Sequence, residues 1–232
     1  MSWVIVPAAG RGARFGGEVP KQYLDLLGRP VIEHTLRALL AHPAVSGAMV
    51  ALAANDPHWP GWRELENKPV LACLGGGERA DSVLAGLRAL PDSVAGDSWV
   101  LVHDAARPCV KALDLSRLFA ALKTDPVGAL LAAPVRDTLK RAGDDGRVAA
   151  TVPRGSMWRA LTPQAFRRDG LVRALESAER AGVVATDEAM AIERLGLKPL
   201  LVEGSEDNLK ITTPADLAVA ESILRRMGDG RA

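Results

Sequence analysis

Two cations beside a glycine-rich turn are the first residues of this sequence whose types and spacing suggest chemistry. The segment Pro7-Ala8-Ala9-Gly10-Arg11-Gly12-Ala13-Arg14-Phe15-Gly16 follows a short apolar run, and Lys21 stands just past Pro20. A glycine turn after an opening strand lets backbone N–H groups approach phosphate oxygens closely. Ala8, Ala9, Gly10 and Gly12 are placed to offer such groups. Arg14 and Lys21 can then close over a triphosphate, although two solvated charges beside a tight turn would look the same. The dinucleotide fingerprint does not fit, because it needs glycine where Phe15 stands and a helix directly afterwards. Here the loop continues through Gly17 to Pro20. The Walker pattern fails as well, since no Gly-Lys-Ser/Thr follows.

Such a loop needs a sheet behind it. Apolar runs at Trp3–Val6, Ala48–Ala53, Val70–Leu74, Trp99–Val102, Ala129–Ala133 and Pro199–Val202 read as strands. Several are continuous rather than alternating, as strands buried on both faces are. Helical stripes lie between them: Ile32, Leu36, Leu39 and Leu40, then Val83, Leu84, Leu87 and Leu90. Thr213, Pro214 and Asp216 mark the start of a last helix. This alternation predicts an α/β fold, a Rossmann-like, mostly parallel twisted sheet with helices on both faces. We expect one domain over residues 1–232. A polar stretch around Asp145-Gly146 reads as a protruding β-hairpin arm, at about 136–157. A lone two-stranded ribbon is marginal in water, so the arm needs something to pack on, such as a second subunit.

Bulk properties exclude other classes. The 232 residues are 48% hydrophobic and 25% charged, with net charge +1. No global field draws nucleic acid or an anionic membrane, so an anionic substrate must be held by local cations. The two cysteines, Cys73 and Cys109, are expected to be reduced thiols. The start carries no secretory pattern and no apolar run reaches a membrane span, so a cytoplasmic protein is expected.

Seven motifs in order give a resemblance. Pro7-Ala8-Ala9-Gly10 with Gly12 and Arg14 is followed by Pro20-Lys21-Gln22-Tyr23-Leu24. Then come Gly76, Glu78-Arg79, Asp81-Ser82-Val83, and His103-Asp104-Ala105-Ala106-Arg107-Pro108. Pro134-Val135-Arg136-Asp137-Thr138 with Lys140, Thr162-Pro163-Gln164, Thr186-Asp187-Glu188-Ala189 and Asp207-Asn208-Leu209-Lys210 complete the set. Together they resemble the 2-C-methyl-D-erythritol 4-phosphate cytidylyltransferase family, from about Trp3 to about Ala220. Departures are mild: Ala13, Leu161 and Arg159 stand where relatives differ.

The resemblance implies transfer of CMP from CTP to the polyol phosphate, with release of pyrophosphate. Both reactants are anionic, so positioned cations matter more than acid–base groups. It implies that Arg14 and Lys21 stabilise charge on the α-phosphate and leaving group, with Mg²⁺ on the triphosphate. It implies that Gly76, Gly77 and Ser82 read the cytosine ring. Asp104 would bind Mg²⁺ or accept from polyol hydroxyls, and Arg107 would hold phosphate or the loop. His103 is expected to be structural, since the attacking phosphate is already a nucleophile. Thr162 and Thr186 each precede an apparent helix start; they read as N-caps, and by resemblance lie near the substrate phosphate. Lys210, Arg154 and Thr138 are implied contacts of that phosphate, Arg154 and Thr138 from an arm exchanged across a homodimer. A cytidylyltransferase for another polyol phosphate, such as ribitol 5-phosphate, is the alternative.

Overall fold

The computed structural model describes residues 2–10 and 19–228. Arg14 and Gly12 therefore lie outside the described residues. The chain opens with β1 (Ser2–Pro7), then a 3₁₀ turn over Lys21–Tyr23 and a minimal hairpin of β2 (Asp25–Leu26) and β3 (Arg29–Pro30). It continues through α1 (Val31–Leu40), β4 (Val45–Leu52), β5 (Glu64–Leu65), β6 (Lys68–Leu74), α2 (Arg79–Arg88), β7 (Trp99–Val102), α3 (Ala112–Ala121) and β8 (Gly128–Pro134). The arm strands β9 (Leu139–Ala142) and β10 (Val148–Val152) precede β11 (Trp158–Arg167), α4 (Arg168–Arg180), α5 (Glu188–Glu193), β12 (Leu200–Glu203) and α6 (Pro214–Gly228).

Eight strands form one sheet in the order β12-β8-β11-β7-β1-β4-β6-β5. β1 lies parallel to β4 and β7, β4 to β6, and β8 to β12. The α1 stripe and α3 cover one face, where Ile32, Leu36, Leu39, Leu115 and Leu118 are fully buried. The α2 stripe, α4 and α5 cover the other through Val83, Leu87, Leu171 and Ile192. Each of the six apolar runs became a strand, and residues such as Val4, Ile5 and Leu101 are sealed on both faces. Both cysteines are unpaired thiols.

The sheet order also locates a crevice. From β1 the chain steps outward to β4 and β6, then returns to β7 on the other side of β1. Ligands of open α/β sheets bind outside the carboxyl ends of strands at such a reversal. The segments that leave those ends are Ala8–Gly10, Gly75–Gly77 and His103–Asp104.

β11 is the long strand that periodicity did not reveal. It runs antiparallel between β7 and β8. Thr162-Pro163 inside it looks like a helix start in sequence, so the N-cap reading of Thr162 is incorrect. Pro163 has no N–H to give the ladder, and register with β8 breaks between Ala160 and Gln164. That irregularity turns Thr162 toward the end of β7.

The arm forms as expected, as a separate antiparallel pair of β9 and β10. Its turn is longer than the two-residue type the Asp145-Gly146 pair suggests. Gly146 N–H donates to the Gly143 carbonyl at 3.0 Å, and Gly143 N–H to the Arg147 carbonyl at 2.9 Å. Gly146 takes φ 75°, the left-handed position of a three-residue hairpin loop. Val148 is 65% exposed, so the arm covers none of its own apolar surface well.

Candidate active site

The first wall of the crevice is the loop stem after β1. Ala8 N–H donates to the Ala51 carbonyl at 2.8 Å, which continues the pairing with β4. Buried Gln22 then locks the stem, donating through Nε2 to the carbonyls of Ala8 at 2.8 Å and Gly10 at 3.0 Å. Lys21, its neighbour, donates through Nζ to the Ile211 carbonyl at 2.9 Å. These groups line a cleft of about 650 Å³ together with Gly76, Gly77, Ser82, Asp104 and Lys210.

The second wall is the glycine turn between β6 and α2. Gly75 N–H donates to the Leu52 carbonyl at 2.7 Å, and Gly76 N–H to buried Ser82 Oγ at 3.1 Å. The Asp81 carboxylate accepts the Glu78 N–H at 3.0 Å, closing the first turn of α2. A Cβ on Gly76 would fall 2.2 Å from the Asp81 Cβ, and one on Gly75 2.8 Å from the Ala9 Cβ. Gly75 is therefore a close contact between two loops, and Gly76 one between the turn and the first turn of α2. Gly76→Ala should lower stability by about 1–3 kcal/mol, the usual cost of overpacking. Urea unfolding checks this, and an unchanged midpoint would mean that the turn has slack.

Asp104 is the centre of the site. Its Oδ1 accepts from Arg79 Nε at 2.9 Å, and its Oδ2 faces Lys210 Nζ at 2.9 Å and Arg107 Nε at 3.5 Å. Burial pushes this carboxyl up, but Arg79, Lys210 and Arg107 outweigh it and hold it well below the usual carboxylate range. Arg79 also makes a two-pronged pair with buried Glu188, at 2.6 and 3.2 Å. Burial holds the Glu188 carboxyl above its ordinary value despite that pair. Next to Asp104, His103 is fully buried with both ring nitrogens engaged, by Thr162 Oγ1 and by the Arg107 carbonyl. Burial lowers it to about 4, so it is neutral near pH 7. The structural reading of His103 fits this environment.

A second, more polar chamber of about 520 Å³ adjoins the first and shares Arg79, Asp104 and Lys210 with it. Arg107, Thr162 and Thr186 line it. Arg107 is buried and donates to the Asn208 carbonyl at 2.6 Å, which fixes the segment that carries Lys210. The N-cap of α5 is Asp187, which accepts from Met190 N–H, and not Thr186. This leaves the Thr186 side chain at the chamber wall. Thr138 and Arg154 lie on the exposed arm and line neither chamber of their own chain. Arg154 donates instead to the Arg136 carbonyl at the base of the arm.

Arg79, Glu188 and Gln22 stand in the sequence only as parts of motifs, with no task of their own legible there. Their signal was weak, since Arg79 and Glu188 are 109 residues apart. Nor does Asp104 offer an open metal site. Three cations occupy its oxygens, and no cluster of three or more His, Cys, Asp or Glu able to hold a metal exists among the described residues.

Glycine-rich backbone on one side of a sheet edge, faced by fixed cations on the other, is the arrangement of an α/β nucleotidyltransferase. The family model described as 2-C-methyl-D-erythritol 4-phosphate cytidylyltransferase matches residues 2–226. The chain belongs to that family. A Stenotrophomonas maltophilia protein of this name is 64% identical over 224 residues, covering 97% of each chain. One from Xanthomonas campestris pv. campestris is 64% identical over 230 residues, 99% of this chain and 87% of its own. Among solved structures, the Francisella tularensis enzyme matches with a TM-score of 0.82 at 34% identity, covering 96% of this chain and 99% of that one. The Thermus thermophilus enzyme matches with a TM-score of 0.76 at 33% identity, covering 96% and 98%.

Proposed function

We propose that the two joined chambers carry out the cytidylyl transfer, CTP in the first and 2-C-methyl-D-erythritol 4-phosphate in the second. The observation that supports this most is the seam they share, built from Arg79, Asp104 and Lys210. A phosphate oxygen of the acceptor forms a bond to the α-phosphorus of CTP. The bond from that phosphorus to the bridging oxygen breaks, and the electron pair leaves on pyrophosphate. The products are pyrophosphate and 4-diphosphocytidyl-2-C-methyl-D-erythritol. No side chain need act as nucleophile, so the chain's task is to align two anions and neutralise their repulsion.

In this reading the backbone of Ala8, Ala9, Gly10, Gly76 and Gly77 holds the nucleotide, with Ser82 keeping the second turn in shape. Lys21 faces the phosphates, with Arg14 and Gly12 assigned there from the sequence. Lys210 leaves Asp104 for the acceptor phosphate, with Thr162 and Thr186 beside it. Asp104, still held by Arg79 and Arg107, accepts from the polyol hydroxyls. Mg²⁺, or another divalent cation, would enter on the triphosphate oxygens and supply charge neutralisation, as is usual for an ion without a protein cage. Asp104, which lines both chambers, would help to hold the ion only if one of its cations gave way.

Thr138 and Arg154 are assigned to the acceptor site of a second copy, in a homodimer that exchanges arms. No helix among the described residues is long and apolar enough to cross a membrane, and we place the enzyme in the cytoplasm. Pyrophosphate release should require CTP, Mg²⁺ and 2-C-methyl-D-erythritol 4-phosphate together. Equal or faster turnover with ribitol 5-phosphate would move the assignment to another polyol phosphate.

A further inference from the structure

Arg79 and Glu188 are the first residues of α2 and α5, two helices from distant parts of the chain. Their contact is more directed than a strut requires. Both Glu188 oxygens meet the Arg79 fork, at 2.6 and 3.2 Å, while the remaining Nε–H points to Asp104 Oδ1 at 2.9 Å. Glu188 is 1% exposed. Burying such a pair is a poor route to stability, because desolvation offsets the attraction. The start of α5 is also anchored independently, since Gln164 accepts the Ala189 N–H at 2.8 Å and donates to Asp187 at 3.0 Å.

We propose that Glu188 is a positioning residue of the transfer reaction: it fixes the plane of Arg79, and Arg79 fixes the Asp104 carboxylate at the seam between the chambers. This rests on the functional reading above. When Lys210 turns to the acceptor phosphate, Asp104 loses one of its three cationic partners. Arg107 Nε is 3.5 Å away, a weaker hold. Arg79 is then the group that keeps the carboxylate aimed at the acceptor. Only a guanidinium can serve, because its fork grips one carboxylate while its Nε–H grips another. A lysine ammonium at position 79 has the charge without that span.

The test uses Arg79→Lys, Glu188→Gln and the double variant, with CTP and 2-C-methyl-D-erythritol 4-phosphate varied separately. Glu188→Gln keeps the shape of the side chain and guards against a variant that fails to fold. Each single variant should lower kcat/KM for the acceptor by about 10–100-fold, as misplacement near a reacting centre does, with KM for CTP changed less than about threefold. If Glu188 acts through Arg79, the double variant should be no worse than the poorer single one. Three results would overturn the inference: near wild-type singles, losses that multiply in the double variant, or equal loss toward both substrates with melting below the assay temperature. Wild-type protein that releases no pyrophosphate in the same assay would instead overturn the functional reading.

Discussion

Lys21→Ala is expected to lower kcat by about 10²–10³-fold, on the order of 3–4 kcal/mol, as loss of a preorganised charge-stabilising donor does. KM for CTP should move by no more than about threefold, because the charge that Lys21 meets develops mainly as pyrophosphate leaves. The position of Lys21 supports this. It lines the cleft, and its Nζ is held by the Ile211 carbonyl at 2.9 Å instead of pointing to bulk solvent. Its neighbour Gln22 fixes the loop stem, so the lysine sits on a rigid base. Losing the charge-assisted bond to Ile211 costs about 1.5–3 kcal/mol of stability, less than the roughly 5–15 kcal/mol that holds a typical domain folded. Steady-state kinetics decides the matter: a Lys21→Ala enzyme within about threefold of wild-type kcat would make Lys21 an ordinary surface cation.

Mixing two inactive variants should restore activity to about a quarter of all sites, given a closed two-fold dimer with exchanged arms. The variants are Lys21→Ala and Arg154→Ala, unfolded together and refolded. Random pairing makes about half of the dimers mixed. In each mixed dimer, one site carries both lesions and the other carries neither. The motivation is that Arg154 and Thr138 line neither chamber of their own chain and lie exposed on a ribbon with little apolar cover. If Arg154 served its own chain, every site would keep one lesion. Mixed dimers confirmed by mass but without regained activity would rule out a shared site.

The legibility of this chain in its sequence followed the physics of each part. Strands buried on both faces leave continuous apolar runs, and one-sided helices leave stripes such as Ile32, Leu36, Leu39 and Leu40. Local chemistry also left marks, as in the glycine turns and in Pro214 at the start of α6. β11 left none, because a proline and two polar side chains interrupt it where it crosses the site. Thr162 is polar because it must meet His103 and the backbone of Asp104, so a demand of the site erased the strand pattern. The Arg79–Glu188 pair was hidden for another reason: nothing local reports a contact between residues 109 apart.

The bond from Lys21 to the Ile211 carbonyl joins residues 190 apart. It has a consequence for how the enzyme comes into being. The crevice cannot close on one side until the segment just before α6 has been made. A growing chain can lay down β1, its loop stem and both glycine turns well before Lys21 has its anchor or Lys210 exists. Contacts of such long sequence separation form late in folding, because their loop-closure entropy must be met first. The cleft is therefore completed at the end of synthesis, and a chain stopped before Ile211 lacks both the anchor of Lys21 and the segment that follows it.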